Sequence, residues 1–91
     1  MTALAPASTF ALPLDELRLG RRARIEIVDW NALDASEACR LKHFGFDEGV
    51  MVEPLHSGPV GRDPLAVRVG RMTVAIRRAV ARAIHVSPAA A

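Results

Sequence analysis

Residues 44–65 decide the fold of this chain, and they read FGFDEGVMVEPLHSGPVGRDPL. Gly45 predicts the end of a helix, because glycine adopts the left-handed backbone conformation without a side-chain clash. Residues 47–49 then predict a tight turn into a strand. Residues 58–64 contain two glycines and two prolines, so we expect a loop that cannot continue a β-ladder. These turns predict a helix followed directly by a meander of short strands.

Periodicity predicts short strands on both sides of this stretch. Residues 23–29 alternate apolar and polar side chains, and we expect Ala23, Ile25 and Ile27 to face the core. Pro54 predicts an edge or a bulge within its strand. The further predicted elements are strands over 50–55, 65–69, 72–76 and 84–86, a two-residue hairpin turn at Gly70-Arg71, and one or two helical turns over 77–83.

One longer helix is predicted before Gly45. Asp34 and Glu37 have the spacing of a capping box, in which the carboxylate of Asp34 accepts a hydrogen bond from the backbone N–H of Glu37. At 100° per residue, the helix then presents an apolar stripe to the core. That stripe consists of Ala38, Leu41 and Phe44.

The chain has the length and composition of one small globular domain. It contains 91 residues, of which 51% are hydrophobic and 24% charged, so a single small core can form. Residues 14–20 predict a short helical turn that inserts Leu14 and Leu17 into this core. Because four or five short strands cannot form a sandwich, we predict a mainly β fold, a small SH3-like barrel with one inserted α-helix. We expect the domain to span residues 14–86, between a flexible leader at 1–13 and a disordered tail at 87–91.

The composition argues against several classes of function. The net charge of +2 is small, and one Trp and three Phe offer few stacking surfaces, so we expect no nucleic-acid binding. No Gly-x-x-x-x-Gly-Lys-Ser/Thr phosphate cradle and no nucleophile–base signature occur, so we expect no enzymatic activity. The single Cys39 excludes an intramolecular disulfide. No apolar run approaches the ~20 residues needed to cross a bilayer, and we expect a cytoplasmic protein.

The order of these turns and strands resembles the ferrous iron transport protein A (FeoA) family. That family combines a leucine-rich opening turn ending in Gly, an Ile-x-Ile strand, a helix closing on Leu-x-x-x-Gly, two turns, a strand hairpin and an Ile-x-Val ending. The corresponding segments here are Leu14–Gly20, Ile25–Ile27, Leu41–Gly45, Asp47–Gly49, Gly58–Pro64 and Ala83–Val86. The resemblance covers nearly everything from Leu14 to Val86, in order.

The resemblance implies an SH3-like barrel that serves as a small cytosolic accessory to the membrane ferrous-iron transporter FeoB, which carries a GTP-binding domain. It implies no catalytic activity of the chain itself, and at most a peripheral location at the membrane. The same barrel also occurs as the C-terminal domain of metal-dependent repressors. A metal-responsive regulatory domain acting by protein contacts is therefore the alternative hypothesis. We expect the accessory role, because the sequence shows no DNA-binding helix pair in front of the barrel.

Cys39 and His43 raise the question of a metal site. They lie four residues apart on the predicted helix and off its core stripe, a spacing at which both side chains can reach one ion. Glu48 with Asp47, and His56, could supplement them. Two ligands do not make a site, since a structural zinc takes four, so a half-buried thiol and a solvated imidazole remain the alternatives. We expect no required cofactor; the metal hypothesis is a weakly bound or subunit-bridging iron or zinc ion, compatible with a homodimer.

The exposed side of helix 34–44 and the loop 57–64 are the predicted docking surface for FeoB. The candidate contact residues are Arg40, His43, Gly58, Arg62 and Asp63. Two arginine clusters can be solvated surface, or they can guide the chain towards an acidic partner or an anionic membrane face. These clusters are Arg21, Arg22 and Arg24, and Arg77, Arg78 and Arg82.

Overall fold

The computed structural model describes residues 11–61 and 63–89, and six strands occur within them. The strands are β1 (Leu12–Pro13), β2 (Ala23–Val28), β3 (Met51–Val60), β4 (Asp63–Val69), β5 (Met72–Ile76) and β6 (Ile84–Pro88). They form one antiparallel sheet in the order β1-β6-β2-β3-β4-β5. The same residues contain helices α1 (Ala35–Phe44) and α2 (Arg78–Ala81) and two 3-10 turns, Leu14–Glu16 and Trp30–Ala32. The predicted mainly β class with one longer inserted helix is confirmed, although the sheet has more strands than predicted.

The core gathers buried side chains from the sheet, from both helices and from the first 3-10 turn. Its members include Leu14, Leu17, Ile25, Leu41, Phe46, Val52, Val67, Val80, Ile84 and Val86. Burying one such large apolar side chain contributes about 1.5–3 kcal/mol. No described helix has the length and apolar character that a membrane span requires.

A β-bulge in β2 reverses the alternation of its side chains. Between Ile25 and Ile27, β2 advances by two residues while its partner β6 advances by one, which leaves Glu26 as the extra residue. As a result, Ile27 is 53% exposed, whereas Val28 is only 4% exposed. The expectation that Ile27 faces the core is therefore wrong, because period-two alternation holds only while the ladder is regular.

Strands β3 and β4 run through the segment that the sequence predicts as a loop. Val60 pairs with Asp63, so the connection between the two strands is only residues 61–62. The register shifts just after Pro54 and again around Pro59, and such bulges accommodate a residue that has no N–H to donate. The expected loop over 58–64 is thus wrong, whereas the bulge expected at Pro54 is found.

The two ends of the sheet differ from the predicted domain limits. β1 pairs with β6 through Leu12 and Pro13, which the sequence assigns to the leader. β6 continues along β2 as far as Pro88, two residues past the predicted end of the domain at Val86. Pairing with a neighbouring strand, rather than the composition of the segment itself, orders these short stretches. Residues 1–10 and 90–91 of the predicted leader and tail lie outside the described residues.

Candidate functional site

The N-terminus of α1 is capped as its sequence predicts. The carboxylate of Asp34 accepts a hydrogen bond from the Glu37 backbone N–H at 2.8 Å, and the Asp34 N–H donates to the Glu37 carboxylate at 3.3 Å. These two bonds complete the capping box. The bond from the Glu37 N–H, followed by one from the Ser36 hydroxyl, holds the pKa of Asp34 below its usual value, because both donors favour the charged carboxylate.

The C-terminus of α1 ends at the predicted glycine. Gly45 has a left-handed φ of 90°, and the Phe46 N–H donates to the Leu41 carbonyl at 3.0 Å. With the bond from the Gly45 N–H to the Lys42 carbonyl at 3.1 Å, this is a Schellman motif. Phe46 and Leu41 are both buried, at 1% and 2% exposure. Capped at both ends, α1 presents one defined face to solvent.

That outer face of α1 carries Cys39, Arg40 and His43, all of which are exposed. The half-buried ring of Phe44 lies between two of them: the Arg40 guanidinium carbon is 5.6 Å from its centroid, and the His43 ring packs edge-on at 5.9 Å. Arg40 forms no salt bridge with a described residue. The face therefore combines free positive charge with aromatic surface, a composition common at protein–protein interfaces.

A cleft of about 220 Å³ separates α1 from the junction of β5 and α2. Its apolar lining consists of Leu41, Phe44, Ile76 and Val80, and its polar lining consists of Asp34, Ser36, Glu37, Arg40 and Arg77. Small-molecule and cofactor sites usually measure ~300–1,000 Å³. The cleft is therefore better suited to one or two side chains of a partner than to a cofactor.

At the tip of the β3–β4 hairpin, the predicted contact residues Gly58 and Asp63 have structural roles. A Cβ atom on Gly58 would lie 2.7 Å from the carbonyl carbon of Asp63, so only glycine lets the two strands approach this closely. The Asp63 carboxylate accepts a hydrogen bond from the Arg78 backbone N–H at 3.0 Å, and the Arg78 guanidinium donates to the Gly61 carbonyl at 3.1 Å. Asp63 and Arg78 thus fasten the hairpin to α2. Arg62 lies outside the described residues, and the part of this hairpin in docking stays a prediction.

Asp15 is the centre of a charged network that no local sequence pattern predicts. Its side chain is 4% exposed, and its Oδ2 atom lies 3.4 Å from Arg78 Nη2 and 3.5 Å from Arg82 Nε. The Oδ1 atom is buried without a hydrogen-bond partner in the described part of the chain. The one sequence feature that points to this network is the four-residue spacing of Arg78 and Arg82, which lets both side chains reach one carboxylate. This arginine cluster is therefore partly structural, while its third member, Arg77, is exposed.

The metal candidates are not brought together in one chain. Cys39 and His43 share the outer face of α1, whereas Glu48 lies in the turn before β3 and His56 lies in β3. Among the described residues, no three His, Cys, Asp or Glu side chains are grouped so that they could hold a metal ion. Glu48, Asp47 and His56 therefore do not complete a site with the helical pair in one chain. The pair alone supplies two ligands.

Comparison with known proteins assigns this chain to a family. The model of the FeoA domain matches residues 12–88, whereas no curated protein sequence matches the chain. The crystal structure of Stenotrophomonas maltophilia FeoA in complex with zinc shares 41% identity, covering 81% of this chain and 87% of that protein, with a TM-score of 0.68. The FeoA protein of Chlorobium tepidum shares 32% identity, covering 87% of this chain and 71% of that one, with a TM-score of 0.76. The predicted family resemblance is confirmed.

The comparisons also bear on the fold. The S. maltophilia protein is described as a prokaryotic SH3 domain protein, which confirms the predicted SH3-like fold. A manganese-dependent transcriptional repressor has a TM-score of 0.73 at 18% identity, covering 87% of this chain but only 42% of its own. At that identity the likeness concerns the fold alone, and it agrees with the prediction that the same barrel occurs in metal-dependent repressors.

Proposed function

The chain belongs to the FeoA family, and from this premise we propose that it is a small, cytoplasmic, non-catalytic accessory of ferrous iron uptake. It docks on the membrane ferrous-iron transporter FeoB and modulates the assembly or the GTP turnover of that transporter. The family match over residues 12–88 carries this proposal. The description of the S. maltophilia relative, which connects that protein with activation of bacterial ferrous iron transport, supports it.

The proposed docking surface is the outer face of α1 together with the tip of the β3–β4 hairpin. Arg40 and His43 supply charge and aromatic contact on the helix. On the hairpin, Asp63 is held by Arg78, so this surface is organised before a partner arrives, which lowers the entropic cost of binding. Because the guanidinium of Arg40 has no salt bridge to a described residue, we expect an acidic patch on the transporter opposite α1.

The double substitution Arg40→Glu/His43→Glu tests this surface. Charge reversal on α1 should weaken binding to detergent-solubilised FeoB at least tenfold, which corresponds to about 1.4 kcal/mol. Arg18→Glu, a charge reversal of an exposed arginine that lies outside α1 and outside both arginine clusters, is the control and should bind like the wild type. Thermal unfolding followed by circular dichroism checks that each variant is folded.

Two different negative results have different meanings. If the double variant binds FeoB and restores iron uptake as well as the wild type does, the assignment of the outer face of α1 to the docking surface is wrong. If the wild-type chain itself does not bind FeoB and its deletion leaves ferrous iron uptake unchanged, the proposed function is wrong.

A second candidate function is metal-dependent pairing of two chains, which the zinc complex of the S. maltophilia relative favours. Cys39 and His43 are exposed on one helix face, and the same pair from a second copy would complete the four ligands of a tetrahedral Cys2His2 site. Bound there, zinc or iron would hold the two chains together, so that assembly responds to metal as in a regulatory domain.

Sedimentation of the chain with and without zinc tests the second candidate. We expect a zinc-dependent dimer that Cys39→Ser abolishes, while His56→Asn leaves it intact because His56 lies on β3, away from the helical pair. A zinc-dependent dimer that persists in Cys39→Ser would exclude these ligands.

A further inference from the structure

Strand β5 is an edge strand whose outer side has no strand partner among the described residues. It lies at the end of the sheet and pairs only with β4. Because Met72 closes a two-residue turn, the backbone groups of Met72, Val74 and Ile76 point towards β4. Those of Thr73 and Ala75 therefore point outward. Both residues are exposed, and neither makes a backbone hydrogen bond to another described element.

β5 also lacks the features by which proteins usually protect such an edge. It reads MTVAI, with no proline and no charged residue, and its pairing with β4 is regular throughout. The opposite edge of the sheet is only two residues long and includes Pro13. β5 thus offers a regular row of outward N–H and C=O groups to which an extended segment can add.

Two arginines at the ends of β5 decide what kind of segment fits. Arg71 precedes the strand and Arg77 follows it; both are exposed, and neither forms a salt bridge with a described residue. In a full-length antiparallel pairing with a second copy of this chain, Arg71 of each copy would face Arg77 of the other. Like charges directly opposite destabilise a strand pair, whereas opposite charges stabilise it. The edge therefore favours a foreign segment with carboxylates at both ends over a second copy.

The cleft beside α1 adjoins the C-terminal end of β5. Ile76 and Arg77 contribute to one side of it, and Leu41 and Phe44 contribute to the other. Hydrogen bonds from Glu37 and Ser36 lower the pKa of Asp34 on the cleft rim, and the charge of Arg77 adds a smaller effect in the same direction; Arg77 and Asp34 form no salt bridge. A segment that follows β5 to its end can therefore place one apolar side chain in the cleft and still reach the guanidinium of Arg77.

We propose that the outer edge of β5 binds an extended, acidic segment of another protein by β-strand addition, with Arg71 and Arg77 pairing with its carboxylates. This surface is separate from the outer face of α1 and the hairpin tip. It goes beyond the proposed FeoB docking and does not depend on FeoB being the partner.

Ala75→Pro in the full chain tests the hydrogen-bonding part of the proposal. Proline removes the outward N–H of Ala75 and leaves the ladder to β4 intact, since that N–H does not point towards β4. Ala75→Ser keeps the N–H and is the matched control. The probe is the fluorescein-labelled peptide EVTVTVE, whose terminal glutamates have the same separation in sequence as Arg71 and Arg77.

We expect the peptide to shift the amide resonances of positions 73 and 75 in the wild type and in Ala75→Ser. Ala75→Pro should bind it at least tenfold more weakly. Arg71→Glu/Arg77→Glu should also lose at least tenfold, and this variant decides the question if Ala75→Pro fails to fold. The lysine-ended peptide KVTVTVK should bind at least tenfold more weakly than EVTVTVE.

Three results would overturn the proposal. The first is binding of EVTVTVE that the charge reversal leaves unchanged, and the second is a set of resonance shifts that lies away from β5. The third is a concentration-dependent dimer of the chain that Ala75→Pro dissociates, because a second copy would then occupy the edge. None of these results bears on whether α1 binds FeoB.

Discussion

Arg78 links the first 3-10 turn and the β3–β4 hairpin to α2, and the substitution Arg78→Met removes both contacts of its guanidinium while keeping an unbranched side chain and the backbone hydrogen bond to Asp63. The guanidinium lies 3.4 Å from the Asp15 carboxylate and 3.1 Å from the Gly61 carbonyl. Removing one partner of a fully buried ion pair costs about 3–5 kcal/mol. Here the cost is smaller, because Arg78 is 31% exposed and Arg82 still lies 3.5 Å from the same carboxylate. We expect the free energy of unfolding to fall by about 2 kcal/mol.

Thermal and urea unfolding followed by circular dichroism measure this loss. In a domain of this size, 2 kcal/mol corresponds to a decrease in Tm of roughly 8–16 °C. Arg71→Met is the control, since Arg71 is exposed and makes no salt bridge with a described residue; we expect a change within about 0.5 kcal/mol. In a double-mutant cycle, Asp15→Asn should lower the free energy of unfolding less in the Arg78→Met background than in the wild type. The reason is that the ion pair with the Arg78 guanidinium is already absent from that background. Equal Tm values for Arg78→Met and Arg71→Met would refute the reasoning.

Three further predictions concern the hairpin, the bulge and the helix cap. Gly58→Ala should cost about 1–3 kcal/mol of unfolding free energy, because the new Cβ overlaps the Asp63 carbonyl group. A stability equal to that of the wild type in urea would show that β3 and β4 can move apart here without loss of stability. Ile25→Ala should cost about 2–5 kcal/mol and Ile27→Ala less than about 1 kcal/mol, since only Ile25 is buried; equal losses in thermal unfolding would contradict the bulge. The lowered pKa of Asp34 means that its carboxylate adds stability above the unfolded pKa, and that this stability disappears as the pH falls through the folded pKa. Asp34→Asn still caps the helix, so urea unfolding over a pH series should show less acid dependence than the wild type, and an identical pH profile would argue against the cap.

The elements that the sequence predicts best are those whose stabilising contacts are close in the chain. Asp34 caps α1 through a residue three positions later, and Gly45 ends the helix through a carbonyl four positions earlier. The hairpin turn at Gly70-Arg71 is found for the same reason. The orientation of Ile27 differs from the prediction because it depends on the pairing of β2 with β6, which the alternation of residues 23–29 does not encode.

In the candidate site too, the features that depend on nearby residues are predictable and those that depend on distant residues are not. The helical spacing of Cys39 and His43 was enough to place both on one face of α1, where the structure has them exposed. The bond from Arg78 to the Asp63 carboxylate was not predictable, since it joins two elements that no pattern connects. The structure therefore gives Asp63 a structural contact in addition to its proposed role in docking.

By itself, the sequence determined the family, the mainly β class, helix α1 with its caps, and most of the strands. These features depend on backbone preferences and on side chains within a few residues of one another. The tertiary structure decided the bulge in β2, the closing of residues 58–64 into a hairpin, the burial of Asp15 against Arg78, and the edge that β5 leaves open. Each of these depends on contacts between residues far apart in the chain (Asp15 and Arg78 are 63 positions apart), and such contacts exist only once the sheet has formed.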